Sequence, residues 1–186
     1  MEPETNQRVR LTKKLLKDAL ITLMQEKHIS EISVRALCEL AGINRSTFYS
    51  HYSDPNALLH SIEQEVMSNL KKHLEKQPSE DKRGISSKVM VQILEYAKAN
   101  ASVFKVLLSE NCEFDVQKDV LKLSRIVSFK FNPRYSKQTQ EYLTLYGTTG
   151  AISILHKWLQ DGMIEQPEEI SELLLRVLFA GYSSFE

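Results

Sequence analysis

The sequence predicts an all-α protein. Apolar residues recur at three- and four-residue steps along most of the chain, which is the periodicity of amphipathic helices. No stretch of useful length alternates apolar and polar residues, as a half-buried strand does. Proline and glycine positions divide the periodic segments into about nine helices. We expect a three-helix N-terminal head, a long fourth helix and a helical C-terminal domain.

Length and composition fit a soluble globular protein of one ordinary domain or two small ones. The chain has 186 residues, of which 42% are hydrophobic and 26% are charged. No apolar run approaches the roughly 20 residues that span a bilayer, and residues 1–5 are acidic rather than signal-like. We therefore expect a cytoplasmic protein without a membrane partner. Cys38 and Cys112 are expected to be free thiols in that reducing compartment.

The first helix is predicted over residues 8–27, where apolar pairs recur at 15/16, 19/20 and 23/24. Ile29 and Ile32 follow it and are expected to close a small core against its apolar face.

Residues 33–52 are the most informative segment. Ser33 is a suitable N-cap for a short second helix, in which four apolar residues share one face: Val34, Leu37, Cys38 and Ala41. Gly42 can take the left-handed conformation that ends a helix. Asn44 is a suitable N-cap for a third helix over residues 45–49. Two helices joined by a short glycine-containing turn match a helix-turn-helix.

The third helix is expected to bury only Phe48 and to leave a polar, cationic face outward, as a DNA-reading helix does. Arg45 can make paired hydrogen bonds to guanine, and Asn44 can read adenine. The hydroxyl groups of Thr47 and Tyr49 can bind phosphate oxygens. On spacing alone, a surface helical hairpin is an equal alternative. The outward residues are Asn44, Arg45, Ser46, Thr47, Tyr49 and His51.

A family resemblance favours the DNA-reading alternative. The segment Gly42-Ile-Asn-Arg-Ser-Thr-Phe-Tyr-Ser-His-Tyr52, followed by residues 56–59, resembles the TetR/AcrR family of bacterial transcriptional regulators. The family's Thr-Phe/Leu-Tyr-x-x-Phe/Tyr core corresponds to residues 47–52. The match covers roughly residues 8–70.

The resemblance implies roles for individual residues. Arg45 and its neighbours are base readers, and Ser33 and Arg35 contact DNA from the preceding helix. Phosphate contacts are implied for Thr47, Tyr49 and His51. The family often has a phosphate-binding lysine at the start of the fourth helix, where this chain has Asp54 and Pro55. That pair suits a helix start, but a carboxylate repels phosphate.

Net charge gives DNA binding little support, because the chain carries 24 basic and 24 acidic residues. Residues 1–51 hold eight Lys or Arg and six Asp or Glu, a small positive excess. A basic cluster in the first helix can approach the DNA backbone or form a solvated face. Its members are Arg8, Arg10, Lys13, Lys14 and Lys17.

The fourth helix is predicted from Asp54 to about residue 76. We expect a DNA-binding domain over residues 1–53 and an effector-binding and dimerisation domain over residues 54–186. Glu63 and Glu65 are expected on a solvated face of this helix. Residues 77–84 are polar, with a proline and a glycine, and predict a linker.

Five further helices are predicted beyond the linker. Apolar positions mark them near residues 89–97, 103–108 and 116–127, then over 136–160, and finally from Pro167 onward. The helix over 136–160 contains two glycines, Gly147 and Gly150. Each costs about 1 kcal/mol relative to alanine, which indicates close approach of another helix.

The resemblance implies that the last two helices pair with those of a second copy in a four-helix bundle. Such a homodimer places two reading helices about 34–36 Å apart, or a multiple of that distance. The alternative is that the same apolar stripes fill the core of one chain. Trp158 and residues 167–170 also resemble a C-terminal subfamily that includes dihydroxyacetone kinase operon coactivators. Candidate interface residues are Gly147, Gly150, Ile154, Ile170, Leu174, Val177 and Leu178.

The resemblance further implies that a small apolar effector binds in the C-terminal domain, although some such regulators answer to a partner protein. Aromatic residues at helical spacing are also typical of an ordinary core. Candidate pocket residues are Tyr96, Phe104, Leu107, Phe129, Tyr142, Tyr146 and Trp158.

No motif points to catalysis. The five histidines lack the spacing of a helical zinc site, and no phosphate-binding loop or nucleophile motif occurs. We expect no enzyme activity, cofactor or metal. The sequence predicts a homodimeric regulator of a palindromic operator, namely a repressor released by a small-molecule effector. The alternative is a protein-interaction regulator or coactivator that binds DNA weakly, which the zero net charge and Asp54 favour.

Overall fold

A computed structural model describes residues 3–75, 86–109 and 136–180 of the chain. These ranges hold eight α-helices and one short 3₁₀ helix, and contain no strand, so the all-α prediction is confirmed. The predicted linker, the helix over 116–127, Cys112 and Phe129 lie outside the described residues. The helices are α1 (Pro3–Met24), α2 (Val34–Ala41), α3 (Arg45–Tyr49), α4 (Pro55–Glu75), α5 (Ser87–Ala99), α6 (Ala101–Leu107), α7 (Lys137–Gln160) and α8 (Pro167–Ala180).

One compact unit contains α1, α2, α3 and α4 as far as Val66, together with residues 106–109 of the described chain. Helix α1 begins earlier than predicted, at Pro3, where proline suits the first turn of a helix. The 3₁₀ helix Ile29–Glu31 joins α1 to α2. The unit has a continuous apolar core that includes Leu16, Leu20, Met24, Ile29, Ile32, Leu37, Phe48, Leu58 and Ile62.

The expectations for Cys38 and Glu63 have different outcomes in this unit. Cys38 is a buried free thiol, as predicted. Burial raises its pKa, and the positive charge of Arg45 acts in the opposite direction. The expectation that Glu63 lies on a solvated face is wrong, because Glu63 is only 9% exposed. Its carboxylate Oε2 lies 3.2 Å from Nδ1 of His60, one helical turn earlier.

The second unit contains the rest of α4, α5, residues 101–105, α7 and α8. Helix α8 packs against α5 and also contacts α7. Apolar side chains of these helices form the core, among them Val89, Leu94, Ala97, Trp158, Leu159, Ile170 and Leu174. Among the described helices, none has the length and apolar character needed to cross a membrane.

Candidate nucleic-acid interface

Short-range hydrogen bonds build the helix-turn-helix. The Ser33 hydroxyl oxygen accepts from the backbone N–H of Ala36 at 3.2 Å and caps α2. Gly42 ends α2 in the left-handed conformation, with φ of 65°, which side chains with a Cβ rarely adopt. The backbone N–H of Ile43 donates to the Cys38 carbonyl at 3.0 Å and closes the turn. The predicted cap and glycine turn are both confirmed.

Helix α3 is capped and anchored as the sequence predicts. The Asn44 side-chain oxygen accepts from the backbone N–H of Ser46 at 3.1 Å and from its hydroxyl at 3.2 Å. Phe48 is fully buried. Its ring meets the Tyr49 ring edge-on at 5.6 Å and the Tyr52 ring at 6.0 Å between centroids. One aromatic anchor therefore holds a five-residue helix whose other side chains stay outside the core.

The candidate DNA-contact residues all lie outside the core. Thr47 and His51 are half-buried. Tyr49 is 59% exposed, although its ring has an edge contact with Phe48. The other exposed candidates are Ser33, Arg35, Asn44, Arg45 and Ser46. The exposed candidates therefore lie on both sides of the turn at Gly42, within one short segment of the chain.

Arg35 has a partner that the sequence analysis does not identify. Its Nε donates to Oε1 of Glu39 at 2.7 Å across one turn of α2. This hydrogen bond, together with the negative charge of Glu39, raises the pKa of the Arg35 guanidinium. The i, i+4 spacing of opposite charges is a signal from which the pair could have been predicted.

The carboxylate of Asp54 is used as a helix cap. One oxygen accepts from the backbone N–H of Ala57 at 2.8 Å, and the other accepts from the Ser53 hydroxyl at 2.8 Å. These two hydrogen bonds, that of Ala57 first, lower the pKa of Asp54. The group is therefore ionised at neutral pH, and the positive end of the α4 dipole offsets part of its charge. The predicted start of α4 at Pro55 is confirmed.

One member of the basic cluster of α1 forms an ion pair within the chain. Nζ of Lys17 lies 3.0 Å from Oε2 of Glu65, which joins α1 to α4 within the first unit. Lys17 is thus engaged within the chain. The remaining members of the cluster are exposed: Arg8, Arg10, Lys13 and Lys14.

The structure brings two of the candidate pocket residues together. The rings of Tyr96 and Phe104 meet edge-on at 5.7 Å, and the His73 ring lies 5.7 Å from Tyr96 on centroid distances. The Tyr96 hydroxyl accepts a hydrogen bond from the Asn69 side chain at 3.1 Å. We call these four residues the Tyr96 cluster. It combines aromatic surface with polar groups inside the second unit.

The other described candidates for the pocket are Leu107, Tyr142, Tyr146 and Trp158. Trp158 is buried, and its indole N–H donates to the Glu165 carbonyl at 3.1 Å. Tyr142 and Tyr146 are 62% and 61% exposed. Leu107 is buried in the first compact unit rather than in the second.

The candidate interface residues divide between the subunit core and its surface. Ile170 and Leu174 are buried within the chain, on the helix α8 that packs against α5. A Cβ added at Gly147 would lie 2.7 Å from Cδ2 of Leu178, so this glycine permits contact between α7 and α8 of one chain. A Cβ at Gly150 would meet no atom within 4 Å. The half-buried candidates are Ile154, Val177 and Leu178.

In the parts of the chain that are described, no three His, Cys, Asp or Glu side chains come together as a metal site.

Comparison with known sequences identifies relatives for both parts of the chain. A TetR-type family with the description "Transcriptional regulator C-terminal region" matches residues 86–180, just over half of the chain. The uncharacterized HTH-type transcriptional regulator YxbF of Bacillus subtilis (strain 168) is 22% identical over 167 residues. That alignment covers 84% of this chain and 42% of YxbF, so the chain spans less than half the length of this relative.

Three solved structures share the fold. A TetR transcriptional regulator from Streptococcus agalactiae 2603V has a TM-score of 0.59 and 24% identity, with 94% of this chain and 97% of that chain covered. The dihydroxyacetone kinase operon activator DhaS has a TM-score of 0.53 and 16% identity, with 92% and 96% covered. NalD, the secondary repressor of the MexAB-OprM multidrug efflux pump in Pseudomonas aeruginosa, has a TM-score of 0.61 and 16% identity, with 97% and 98% covered.

The matched family and the similar regulators agree with the fold and with the helix-turn-helix built by residues 33–49. They are transcriptional regulators and not enzymes. The chain belongs to the TetR family of transcriptional regulators.

Proposed function

We propose that this protein is a cytoplasmic regulator that binds a palindromic DNA operator as a homodimer, and that it is a repressor released by a small-molecule effector. The observation that carries the proposal is the complete α2–turn–α3 unit, with Arg45 exposed at the first position of a helix anchored by Phe48. The exposed N-terminus of such a helix presents backbone N–H groups and a cation to DNA.

Within this site, Arg45 is the principal base reader. Its guanidinium is exposed, and paired hydrogen bonds to guanine are the commonest specific contact in the major groove. The Tyr49 hydroxyl and Thr47 serve as phosphate contacts that set the position of α3 on the duplex. Arg35 and Ser33 contribute from α2, and His51 from the end of the motif. Base reading by Ser46 and Asn44 is limited, since both are engaged in the cap.

The surroundings of Gly150 support a homodimer. A glycine inside a helix costs about 1 kcal/mol relative to alanine, yet a Cβ at Gly150 would meet no atom of the described residues within 4 Å. Close approach of α7 from a second copy accounts for a glycine at this position. Ile154, Val177 and Leu178 are half-buried and retain apolar surface for the same contact.

The Tyr96 cluster supports an effector site in the second unit. Tyr96 and Phe104 offer aromatic surface, and Asn69 and His73 offer polar groups beside it. Ligand sites in proteins combine mostly apolar walls with a few polar groups that orient the ligand. We therefore expect a small, largely apolar effector with one polar group.

A second candidate function is a protein-interaction regulator or coactivator with weak DNA binding. The ionised carboxylate of Asp54, at the position where the family often has lysine, favours it, as does the zero net charge. The likeness of the fold to both a repressor and an operon activator is compatible with either candidate.

Selection of bound sequences from a pool of random duplexes tests the proposal. A homodimeric operator-binding protein should enrich a palindrome whose half-sites are one helical turn apart, about 34–36 Å, or a multiple of it. Absence of enrichment, with no binding to any duplex at low salt, would eliminate the first candidate. Co-purification of a protein partner without a DNA footprint would then favour the second.

A further inference from the structure

Glu39 and Arg35 form an exposed ion pair on the helix before the turn. The distance from Arg35 Nε to Glu39 Oε1 is 2.7 Å, and the two side chains are 71% and 65% exposed. Exposed pairs at i, i+4 stabilise a helix only slightly. Since neither side chain is in the core, the fold does not depend on the pair.

The position of the pair gives it a consequence for DNA binding. The family resemblance implies that Arg35 contacts DNA from α2, and we take a backbone phosphate as its partner there. A guanidinium binds carboxylate and phosphate through the same paired N–H groups. The Nε–H of Arg35 that donates to Glu39 therefore has to leave the carboxylate before it can donate to a DNA phosphate. After that exchange, the Glu39 carboxylate is left one helical turn from an anionic backbone.

We infer that Glu39 competes with DNA phosphate for Arg35 and thereby lowers the affinity of the protein for DNA. This role rests on the proposed DNA binding. Two effects act in the same direction: the ion pair must break, and the released carboxylate repels the phosphate. Because a phosphate contact carries no sequence information, the effect should be present on any duplex.

The test compares Glu39→Gln with Glu26→Gln, which removes the same charge from an exposed position in the turn after α1. Binding to a random-sequence 30-base-pair duplex is measured by fluorescence anisotropy across a salt series. We expect Glu39→Gln to lower Kd by about two- to fivefold relative to Glu26→Gln, the range set by exposed ion pairs. In an Arg35→Ala background, most of that gain should disappear.

The outcomes separate this role from the proposed function. If the wild type binds and the two glutamine variants bind alike, Glu39 is no competitor. Glu39 is also no competitor if Glu39→Gln gives the full gain in DNA affinity in the Arg35→Ala background. That gain would then come from the loss of a negative charge and not from the release of Arg35. If neither wild type nor variant binds at any salt concentration, the DNA-binding proposal and the role of Glu39 are both overturned. Tight binding by the Glu39 variant alone supports the competition.

Discussion

The side-chain oxygen of Asn44 accepts hydrogen bonds from both the backbone N–H and the hydroxyl of Ser46, at 3.1 and 3.2 Å. A paired contact with adenine uses the amide oxygen and the amide nitrogen of asparagine together. Reading adenine in this way would compete with the cap that starts α3. We therefore propose that Asn44 serves mainly to hold the helix and that Arg45 is the base reader.

Replacement of Asn44 should separate capping from DNA contact. Asn44→Ala should lower the free energy of unfolding by about 1 kcal/mol, whereas Asn44→Asp should keep the cap and the stability. The added carboxylate should nevertheless weaken DNA binding on every sequence. Urea denaturation and DNA titration measure the two effects. Equal destabilisation by both variants would contradict the capping role.

Arg45 and Tyr49 should have distinguishable roles. Arg45→Ala should weaken operator binding by roughly 1–3 kcal/mol and relax the sequence preference at one position. Tyr49→Phe keeps the edge contact with Phe48 and removes only the hydroxyl. It should weaken binding to all DNA sequences alike. The dependence of the binding constant on salt concentration should not change, because the lost hydroxyl is neutral. Titrations with an operator and its single-base variants measure both. If both variants lost the same discrimination between DNA sequences, the assignment of base reading to Arg45 and phosphate contact to Tyr49 would be incorrect.

Gly150→Ala should weaken dimerisation although it strengthens the helix. Alanine improves helix propensity by about 1 kcal/mol, and the added methyl group has no neighbour within 4 Å among the described residues. A larger dissociation constant in sedimentation equilibrium, with higher thermal stability at low concentration, is the expected result. Gly147→Ala should instead destabilise the folded chain itself, since its methyl group would displace Leu178. An unchanged dissociation constant for Gly150→Ala would place this glycine away from the interface.

The lowered pKa of Asp54 predicts a dependence of stability on acid. The folded-state pKa lies below the unfolded value of about 3.9. The contribution of the ionised Asp54 carboxylate to folding stability is therefore complete above the unfolded-state pKa. It is lost as pH falls through the folded-state pKa. Asp54→Asn keeps a capping oxygen without the charge. Thermal midpoints between about pH 2 and 7 should show the wild type more stable at neutral pH and equal to the variant in strong acid.

The same substitution bears on DNA affinity. Removal of the Asp54 carboxylate should tighten binding to any duplex, since a like charge at the start of α4 is lost. Anisotropy titration at two salt concentrations measures this, and the gain should shrink at higher salt. Unchanged binding at low salt would show that the capped carboxylate lies too far from the DNA to matter.

The predicted helix-turn-helix agrees closely with the structure because its determinants act over a few residues. Ser33, Gly42 and Asn44 each meet backbone groups within five positions in the sequence. Capping chemistry and the steric freedom of glycine are therefore visible in the sequence itself. The bounds of α3 were predictable for the same reason.

Contacts between distant segments could not be predicted in this way. Lys17 and Glu65 are 48 positions apart in the sequence, and only the folded chain brings them together. The periodicity of α4 does not reveal that Glu63 is covered, because burial depends on which neighbouring element reaches that face.

By itself, the sequence determined that the chain is helical, where α2 and α3 begin and end, and which side chains the turn leaves exposed. The tertiary structure alone decided which apolar stripes are used inside the subunit. Ile170 and Leu174 of α8 are buried within the chain, and Leu178 leaves no room for a Cβ at Gly147, whereas no described residue lies within 4 Å of a Cβ at Gly150. The physical reason is range: caps and turns depend on adjacent residues, whereas burial depends on surfaces that meet only when the chain has folded.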